Sequence, residues 1–399
     1  MSTSGGPNIT TNGLVVHLDA ANDKSFRGEP TVNLAFNFSN KHRTWRRRGS
    51  GSAPLTIIDD TKIEINLEVD DSQNNDSWLY YPSFQNAIPG SQYTWTVYVE
   101  ELFQFKSSNN NQFFIQVRDS NNNPISESRV NEIKKGDILT TSFTNPGDNS
   151  SFARISLGFG GSILEGDRLH CILKFQFEQK PYATPFVNGT RGNTVATGGG
   201  WADRSGNNNH GQLINSPLYV NQNLGALNFD GTNSSITIPF DSSMDFSKAQ
   251  TICMWLKPTT GSNSTRRNPY NQAYGGSGTL THEPNQTINY YFGTHGGNSS
   301  PYVGRNSGFT VAPNELAFIT VTRSQSLNLC RWYKNGQAGN FSNAGGYSST
   351  NNGNSPILIA NGYTSRFLGD IYGVFIYNRY MTQDEVQQMY NATKGRYGL

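Results

Sequence analysis

Trp201-Ala202-Asp203-Arg204-Ser205-Gly206-Asn207-Asn208-Asn209-His210-Gly211-Gln212-Leu213, followed after a gap by Gly225-Ala226-Leu227-Asn228-Phe229-Asp230-Gly231-Thr232-Asn233-Ser234-Ser235-Ile236-Thr237-Ile238-Pro239, is the stretch whose reading decides the fold. Gly and Asn tolerate positive φ, and Asn side chains bond to nearby backbone, so Ser205 to Gly211 reads as a tight corner. Ala226 to Phe229 and Ser235 to Ile238 alternate apolar with polar residues around Asp230-Gly231-Thr232-Asn233. That pattern is two strands joined by a turn.

Outward from this seed, the composition points the same way. The chain has 399 residues, with 12% aromatics, 41 Gly and only 15% charged residues, which favours turn-rich sheet over helical bundle. A formal net charge of +2 is too near neutral for electrostatic capture of nucleic acid or a membrane surface. Arg46-Arg47-Arg48 is a local exception that reads as a solvated loop or an inter-subunit contact. Cys171, Cys253 and Cys330 are odd in number and lack C-x-x-C spacing, so a disulfide framework is not expected; Cys253 and Cys330 sit in apolar strand patterns, as small buried residues do. The amino terminus shows no basic region followed by an apolar one, and no run is long enough to span a bilayer, so neither a cleaved signal nor membrane insertion is expected.

The corner and hairpin together resemble the opening of a laminin G-like, concanavalin A-like sandwich, in which W-x-D-x-S-G-N-x-N-H/N-G leads into L-x-F-D-G-x-N-x-x-I. In that family a strand of the type G-L-V-L-x-L-D-A comes shortly before the corner. Here Gly13-Leu14-Val15-Val16-His17-Leu18-Asp19-Ala20 supplies it far upstream. The expected organisation is therefore an arm over residues 1–12, a discontinuous laminin G-like sandwich over 13–30 and 194–399, and an inserted domain over 31–193. Within 31–193, six or more short runs of period two, among them Lys62 to Leu67, Tyr93 to Val99 and Leu169 to Phe175, predict a second sandwich. Its close, Gln176-Phe177-Glu178 through Ala183-Thr184-Pro185-Phe186, resembles the Q-x-E-x-x-x-x-A-T-P-F ending of carbohydrate-binding-module-like jelly rolls in phage structural proteins. The fold class expected is thus all-β, two β-sandwich (jelly-roll) domains with one short C-terminal helix. That helix is predicted from about Gln383 to Ala392, with Thr382 as N-cap and Val386, Met389 and Tyr390 on one face. Before it, Gly369, Ile371, Val374, Ile376, Tyr377, Asn378 and Arg379 match the family's closing G-x-I-x-x-V-x-I-Y-N-R pattern.

Motifs of catalysis are sparse. The glucanases of this sandwich carry E-x-D-x-x-E, two carboxylates on one strand face; the nearest string, Glu68-Val69-Asp70-Asp71-Ser72-Gln73, ends in Gln and lies in the insertion, where a charged strand end is the simpler reading. His17, His42, His170, His210, His282 and His295 form no H-x-x-x-H or H-E-x-x-H pattern, and no G-x-S-x-G elbow or phosphate-binding glycine loop occurs. No catalytic residues and no organic cofactor are expected. Laminin G-like domains often hold Ca²⁺, and Asp19, Asp203, Asp230 and Asn233 are oxygen-bearing turn residues that could serve a hard cation, or equally fix their own turns by hydrogen bonds. The segment from Arg266 to His295 holds Tyr270, Tyr274, His282, Asn285, Tyr290 and Tyr291 amid Gly and Asn. Aromatic planes and amides suit sugar C–H faces and hydroxyls, and equally a protein interface.

The final Lys394-Gly395-Arg396-Tyr397-Gly398-Leu399 resembles K-G-R-Y-G-L tails of tailed-phage virion proteins. Taken with the other resemblances, it implies a non-enzymatic structural protein on the particle surface: a capsid decoration, or part of the neck, tail or a fibre. Its partners would be other virion proteins, further copies of itself and a host-surface glycan. A glycan-binding adhesin is the alternative, and a glycoside hydrolase the third reading.

Overall fold

The computed structural model describes residues 8–34, 46–47, 55–59, 61–68, 77–81, 88–106, 113–119, 121, 123–146, 152–157, 167–220, 225–343, 350–351 and 353–399. The chain divides into two compact units, Met1–Pro30 with Gly192–Leu399, and Thr31–Arg191.

The first unit is a two-sheet sandwich. One sheet runs in space Leu218–Val220, Ala226–Asp230, Leu368–Tyr377, Ala249–Pro258, Ala317–Ser324, Leu329–Lys334, Gln337–Asn343, and the amino-terminal Leu14–Asp19 pairs antiparallel with Leu368–Tyr377. The other runs Gln212–Ile214, Ser235–Ile238, Ile357–Ile359, Arg267–Asn271, Thr279–His282, Thr287–Gly293, Tyr302–Thr310. Val16, Leu18, Trp201, Phe229, Ile236, Met254, Tyr270, Ile288, Tyr290 and Trp332 belong to one buried cluster, to which both sheets contribute. Apolar burial of this kind, at roughly 25 cal/mol per Å², is the main force holding such a sandwich together.

The corner motif has a chemical role that its spacing alone does not reveal. Asp203 Oδ1 accepts the backbone N–H groups of His17 (2.8 Å) and Ser205 (2.9 Å), and its Oδ2 accepts that of Asn209 (3.0 Å). Asn207 Nδ2 donates to Leu14 O (3.1 Å) and Asn209 Nδ2 to Val15 O (2.7 Å). The corner therefore fastens Leu14–Asp19 to the rest of the unit across nearly two hundred residues of chain.

A second buried cluster, Cys253, Trp255, Phe318, Tyr372, Phe375 and Tyr377 with Val386 and Met389, lies on the side of the first sheet that faces the helix Gln383–Lys394. Thr382 Oγ1 accepts Glu385 N–H (3.3 Å) and Glu385 Oε2 accepts Thr382 N–H (2.9 Å), a reciprocal cap that starts this helix where the sequence placed it. Because both faces of that sheet are covered, Ala317–Ser324 is buried at every position. The second sheet is different: Thr287–Gly293 alternates half-buried and buried, and Tyr302–Thr310 is exposed at every second residue along most of its length.

The Thr31–Arg191 unit contains two five-stranded antiparallel sheets, one ordered Ile138–Thr144, Gln92–Lys106, Arg168–Glu178, Lys62–Glu68, Leu55–Asp59, the other Arg46–Arg47, Ser77–Tyr81, Phe152–Leu157, Phe113–Arg118, Pro124–Val130. Ile63, Trp95, Val97, Phe113, Ile115, Leu173 and Phe175 are in its core. Gln176 and Glu178, two fixed positions of its closing sequence pattern, act as a clasp. Gln176 Nε2 donates to Thr184 O (3.0 Å), its Oε1 accepts Val187 N–H (2.7 Å), and Glu178 Oε2 accepts Thr184 N–H (3.0 Å). Asn33 completes it, with Nδ2 donating to Phe175 O and Val187 O and Oδ1 accepting Phe177 N–H.

Glu68, the first carboxylate of the glucanase-like string, forms an ion pair with Arg168; residues 69–73 lie outside the described residues. Arg46 and Arg47 are in a short strand paired with Tyr80 and Leu79, and Arg48 is outside the described residues. All three cysteines are buried, and burial pushes each thiol up to about 12.

Candidate functional site

The alternation of Thr287–Gly293 decides which residues can meet a ligand. Ile288, Tyr290 and Phe292 belong to the core, so Thr287, Asn289 and Tyr291 point to the outer face of the second sheet. Directly across from them stand Thr281 opposite Asn289 and Thr279 opposite Tyr291 on one side, Asn306 opposite Asn289 and Gly304 opposite Tyr291 on the other. An added Cβ at Gly304 would lie 2.7 Å from Tyr291 Cε1, so only glycine lets that ring lie over the neighbouring strand.

Four tyrosines form a connected row here. Tyr291 and Tyr302 have ring centroids 6.0 Å apart, Tyr302 and Tyr274 5.0 Å, Tyr274 and Tyr363 4.5 Å. Tyr302 is 45% exposed, unusual for so large a ring on a folded sheet. The hydroxyls of Tyr274 and Tyr302 have no partner among the described residues. Tyr274 is carried by a tight turn held against the 295–299 loop: Gly275 N–H donates to Gly297 O (3.0 Å), Gly296 N–H to Gly275 O (2.9 Å) and Tyr274 N–H to Asn298 Oδ1 (3.0 Å). A Cβ on Gly275 would fall 1.8 Å from Ser299 O, so this close approach also requires glycine.

Polar groups are fixed beside the row. Arg266 places its guanidinium 5.8 Å from the Tyr291 centroid and donates from Nε to Glu283 Oε2 (2.8 Å). Glu283 Oε1 also accepts Thr281 Oγ1–H (2.6 Å) and Asn289 Nδ2–H (2.9 Å), and Asn306 Nδ2 donates to Asn289 Oδ1 (2.9 Å). Burial works against the Glu283 carboxylate, but the donors Thr281, Asn289 and Arg266 outweigh it and hold its pKa below the usual range. Burial pushes the Tyr291 phenol up and that of Tyr363 to about 12, so both rings stay neutral at physiological pH.

Of the six contact candidates read from the sequence, Tyr274 and Tyr291 lie in this row, and Asn285 is exposed, its Oδ1 accepting the Thr287 hydroxyl (2.8 Å). The other three require correction as contact residues, because their strand parity turns them inward. Tyr270 is fully buried with its hydroxyl accepting from Gln250 Nε2 (3.1 Å), and Tyr290 Oη lies 2.8 Å from Gln250 Oε1. His282, also fully buried, bonds through Nε2 to Val311 O (2.9 Å). Tyr302, Tyr363, Arg266, Glu283 and Asn306 were missed; the exposed alternation of Tyr302–Thr310 was the available signal for the first.

Burial lowers the His282 pKa, with the Val311 carbonyl and Glu283 opposing, and it lowers that of His17 in the same sense. A depressed folded-state pKa means that stability is intact above the unfolded value, about 6.5, and is lost as pH falls from there through the folded value. His282→Gln, which retains a donor for Val311, is expected to flatten the fall in thermal stability between about pH 6.5 and 5. An unchanged slope would show that His282 is not a source of it.

The four cation candidates are engaged otherwise. Asp19 is paired with Arg396 through both oxygens, at 2.6 Å each, and Asp203 receives the corner amides. Asp230 Oδ1 accepts the N–H groups of Thr232, Asn233 and Ser234 at 2.8–3.0 Å; burial opposes this carboxylate, and those donors with the Ser234 hydroxyl hold its pKa well below the usual range. Asn233 is exposed at that turn, its carbonyl accepting Asn215 Nδ2–H (3.1 Å). Among the described residues no three His, Cys, Asp or Glu side chains gather as a metal site.

Comparison with known proteins places this unit. Residues 230–387 match the family described as the concanavalin A-like lectin/glucanases superfamily. No curated protein matches the sequence. Among solved structures, the binding domain of Paraclostridial Mosquitocidal Protein 1 is similar over 48% of this chain and 49% of its own (20% identity, TM-score 0.42). The receptor-binding domain of botulinum neurotoxin C/D mosaic serotype is similar over 48% of each (13%, TM-score 0.40). Domain 4 of AbnA, a GH43 extracellular arabinanase from Geobacillus stearothermophilus solved with arabinotriose, is similar over 47% of this chain and 91% of its own (16%, TM-score 0.38). The chain spans about half the length of the two toxin structures. With the family match over residues 230–387 and its two sheets around one core, the first unit has a concanavalin A-like fold.

Proposed function

We propose that this chain is a non-enzymatic surface protein of a tailed-phage particle that contacts host-surface glycans through the outer face of its second sheet. The observation that carries the glycan reading is the row Tyr363-Tyr274-Tyr302-Tyr291 beside the fixed polar series Arg266, Glu283, Asn289 and Asn306. Aromatic faces take the C–H side of a pyranose, while ordered amides and a carboxylate take its hydroxyls without having to be immobilised on binding. The Arg266–Glu283 pair balances charge at the site and so favours a neutral sugar. Binding rather than hydrolysis is supported by Glu283 being held as a carboxylate by three donors, since glycoside cleavage needs a protonated acid facing a second carboxyl group. The particle assignment is supported by the closing sequence pattern of the Thr31–Arg191 unit and by the Lys394 to Leu399 ending. In this reading the Thr31–Arg191 unit is a carbohydrate-binding-module-like jelly roll inserted in the laminin G-like sandwich, and assembly is with further copies and other virion proteins.

Two measurements test this. On a glycan array, the full chain is expected to retain a defined set of neutral glycans, and Tyr302→Ala is expected to weaken retention about tenfold, or about 1.4 kcal/mol, with unchanged melting temperature. Retention unaffected by Tyr302→Ala and Tyr291→Ala would remove the sheet face from consideration. Mass spectrometry of purified particles is expected to find the chain; its absence there would overturn the particle assignment, and reducing sugar released from a bound polysaccharide would overturn the non-enzymatic one.

A further inference from the structure

Thr194–Ala196, Asn207–Gln212 and Pro239–Asp241 enclose an open cleft of about 540 Å³ in the first unit, lined by none of the residues of the tyrosine row. Small-molecule sites fall roughly between 300 and 1,000 Å³. One wall is the corner itself, which Asp203, Asn207 and Asn209 bolt to Leu14–Asp19, so the cleft does not depend on a loose loop for its shape. Phe240 forms part of the lining and packs against the core cluster with part of its surface still open.

The side chains of Asn207 and Asn209 are spent on the corner, but three other polar side chains of the lining keep unused groups. His210 Nδ1 accepts the Asp203 N–H (3.1 Å), which leaves the proton of the neutral ring on Nε2. That nitrogen has no partner among the described residues, and neither do the side-chain amides of Gln212 and Asn208. Asp241 is exposed, with Oδ1 accepting Ser243 N–H (2.8 Å), and it is the one charged side chain among the lining residues. A fixed donor, an anionic acceptor, two amides able to donate and accept, and an aromatic ring are together the complement of a ring with many hydroxyls and one apolar C–H face. The carboxylate opposes an anionic guest.

We propose that this cleft is a second saccharide site, taking one or two residues of a neutral sugar independently of the sheet face. The stacking partner is Phe240, the hydroxyl partners are His210 Nε2, Gln212 and Asp241, and a carboxylated sugar is rejected by Asp241.

The test uses the full chain carrying Tyr291→Ala and Tyr302→Ala, so that the sheet face is silent and the two sites succeed or fail separately. Saturation-transfer NMR and calorimetry with methyl α-glucopyranoside, N-acetylglucosamine, maltose, cellobiose and glucuronate are the probes. At least one neutral probe is expected to bind this background saturably, and adding Gln212→Ala with Asp241→Asn is expected to weaken it at least about tenfold. Asparagine retains an oxygen to cap the turn at Ser243, so folding is preserved. In the unaltered chain the His210 ring resonances are expected to shift during the same titration, a readout that needs no cleft variant. The proposal fails if no neutral probe binds the sheet-face variant, if the cleft substitutions leave affinity unchanged, if His210 does not respond, or if glucuronate binds as tightly as glucose.

Discussion

Glu178→Ala is expected to destabilise the Thr31–Arg191 unit by about 3–5 kcal/mol, the range for breaking a buried charged network from one side. Glu178 is fully buried; its Oε1 accepts the Thr31 hydroxyl (2.6 Å) and the Thr184 hydroxyl (2.5 Å), and its Oε2 accepts the Thr184 amide. Arg191, 3% exposed, donates to Thr184 Oγ1 (3.0 Å) and Pro185 O (2.9 Å). Removing the carboxylate leaves two hydroxyls and an amide without their acceptor, and nothing of similar polarity can enter a closed site. Because Thr31–Val32 pairs with Thr190–Arg191, the effect should appear first where the two ends of this unit meet. Hydrogen exchange is therefore expected to accelerate in peptides covering 31–34 and 175–191 well before those covering 249–258. Glu178→Gln retains the shape but exchanges an acceptor for a donor, and should fall between. Exchange indistinguishable from the unaltered chain would show that the clasp is dispensable.

Arg396→Met is expected to cost about 3 kcal/mol in the first unit. The Asp19 side chain is 8% exposed and that of Arg396 26%, and the pair is bidentate at 2.6 Å on both arms, the strong geometry for guanidinium and carboxylate. Asp19 Oδ1 also accepts Ala21 N–H (3.0 Å), so the carboxylate cannot swing out to water when its partner is removed. Next to Arg396, Tyr397 packs on Trp255 (4.4 Å between centroids) and edge-on to Tyr372 (5.4 Å). The last turn of the chain is thus a clamp on the first strand and on the outer side of the first sheet. Denaturant unfolding followed by tryptophan fluorescence should show the lowered midpoint, with little dependence on salt because the pair is shielded from bulk ions. Asp19→Asn combined with Arg396→Met is expected to recover part of the loss, as an uncompensated buried charge is then absent; strict additivity of the two single changes would contradict a direct coupling.

The residues that proved readable are those whose role is local. Ser235 to Ile238 alternates as a strand, Asp230 gathers three successive amides at its own turn, and Thr382 with Glu385 caps a helix within four residues. The tyrosine row was only half readable, and the reason is parity. Tyr290 and Tyr291 are adjacent aromatics on one strand, and only their neighbours Ile288 and Phe292, which share the parity of Tyr290, show which of them goes to the core. Tyr363 joins Tyr274 from nearly ninety residues away, and Arg266 meets Glu283 across a strand pair, so neither could be placed by any local pattern.

By itself the sequence determined the all-β class, the strand-turn-strand seed at Ala226–Ile238, the helix after Thr382 and the burial of Cys253 and Cys330, because alternation, turn chemistry and capping act within a few residues. Tertiary structure alone decided what the carboxylates and aromatics are for. Asp19 meets Arg396 across the length of the chain, Asp203 holds the backbone of His17, and four tyrosines from two loops and two strands meet on one open sheet face. A side chain's partner is fixed by which strands lie side by side, and that depends on the pairing of whole sheets rather than on the residues next to it.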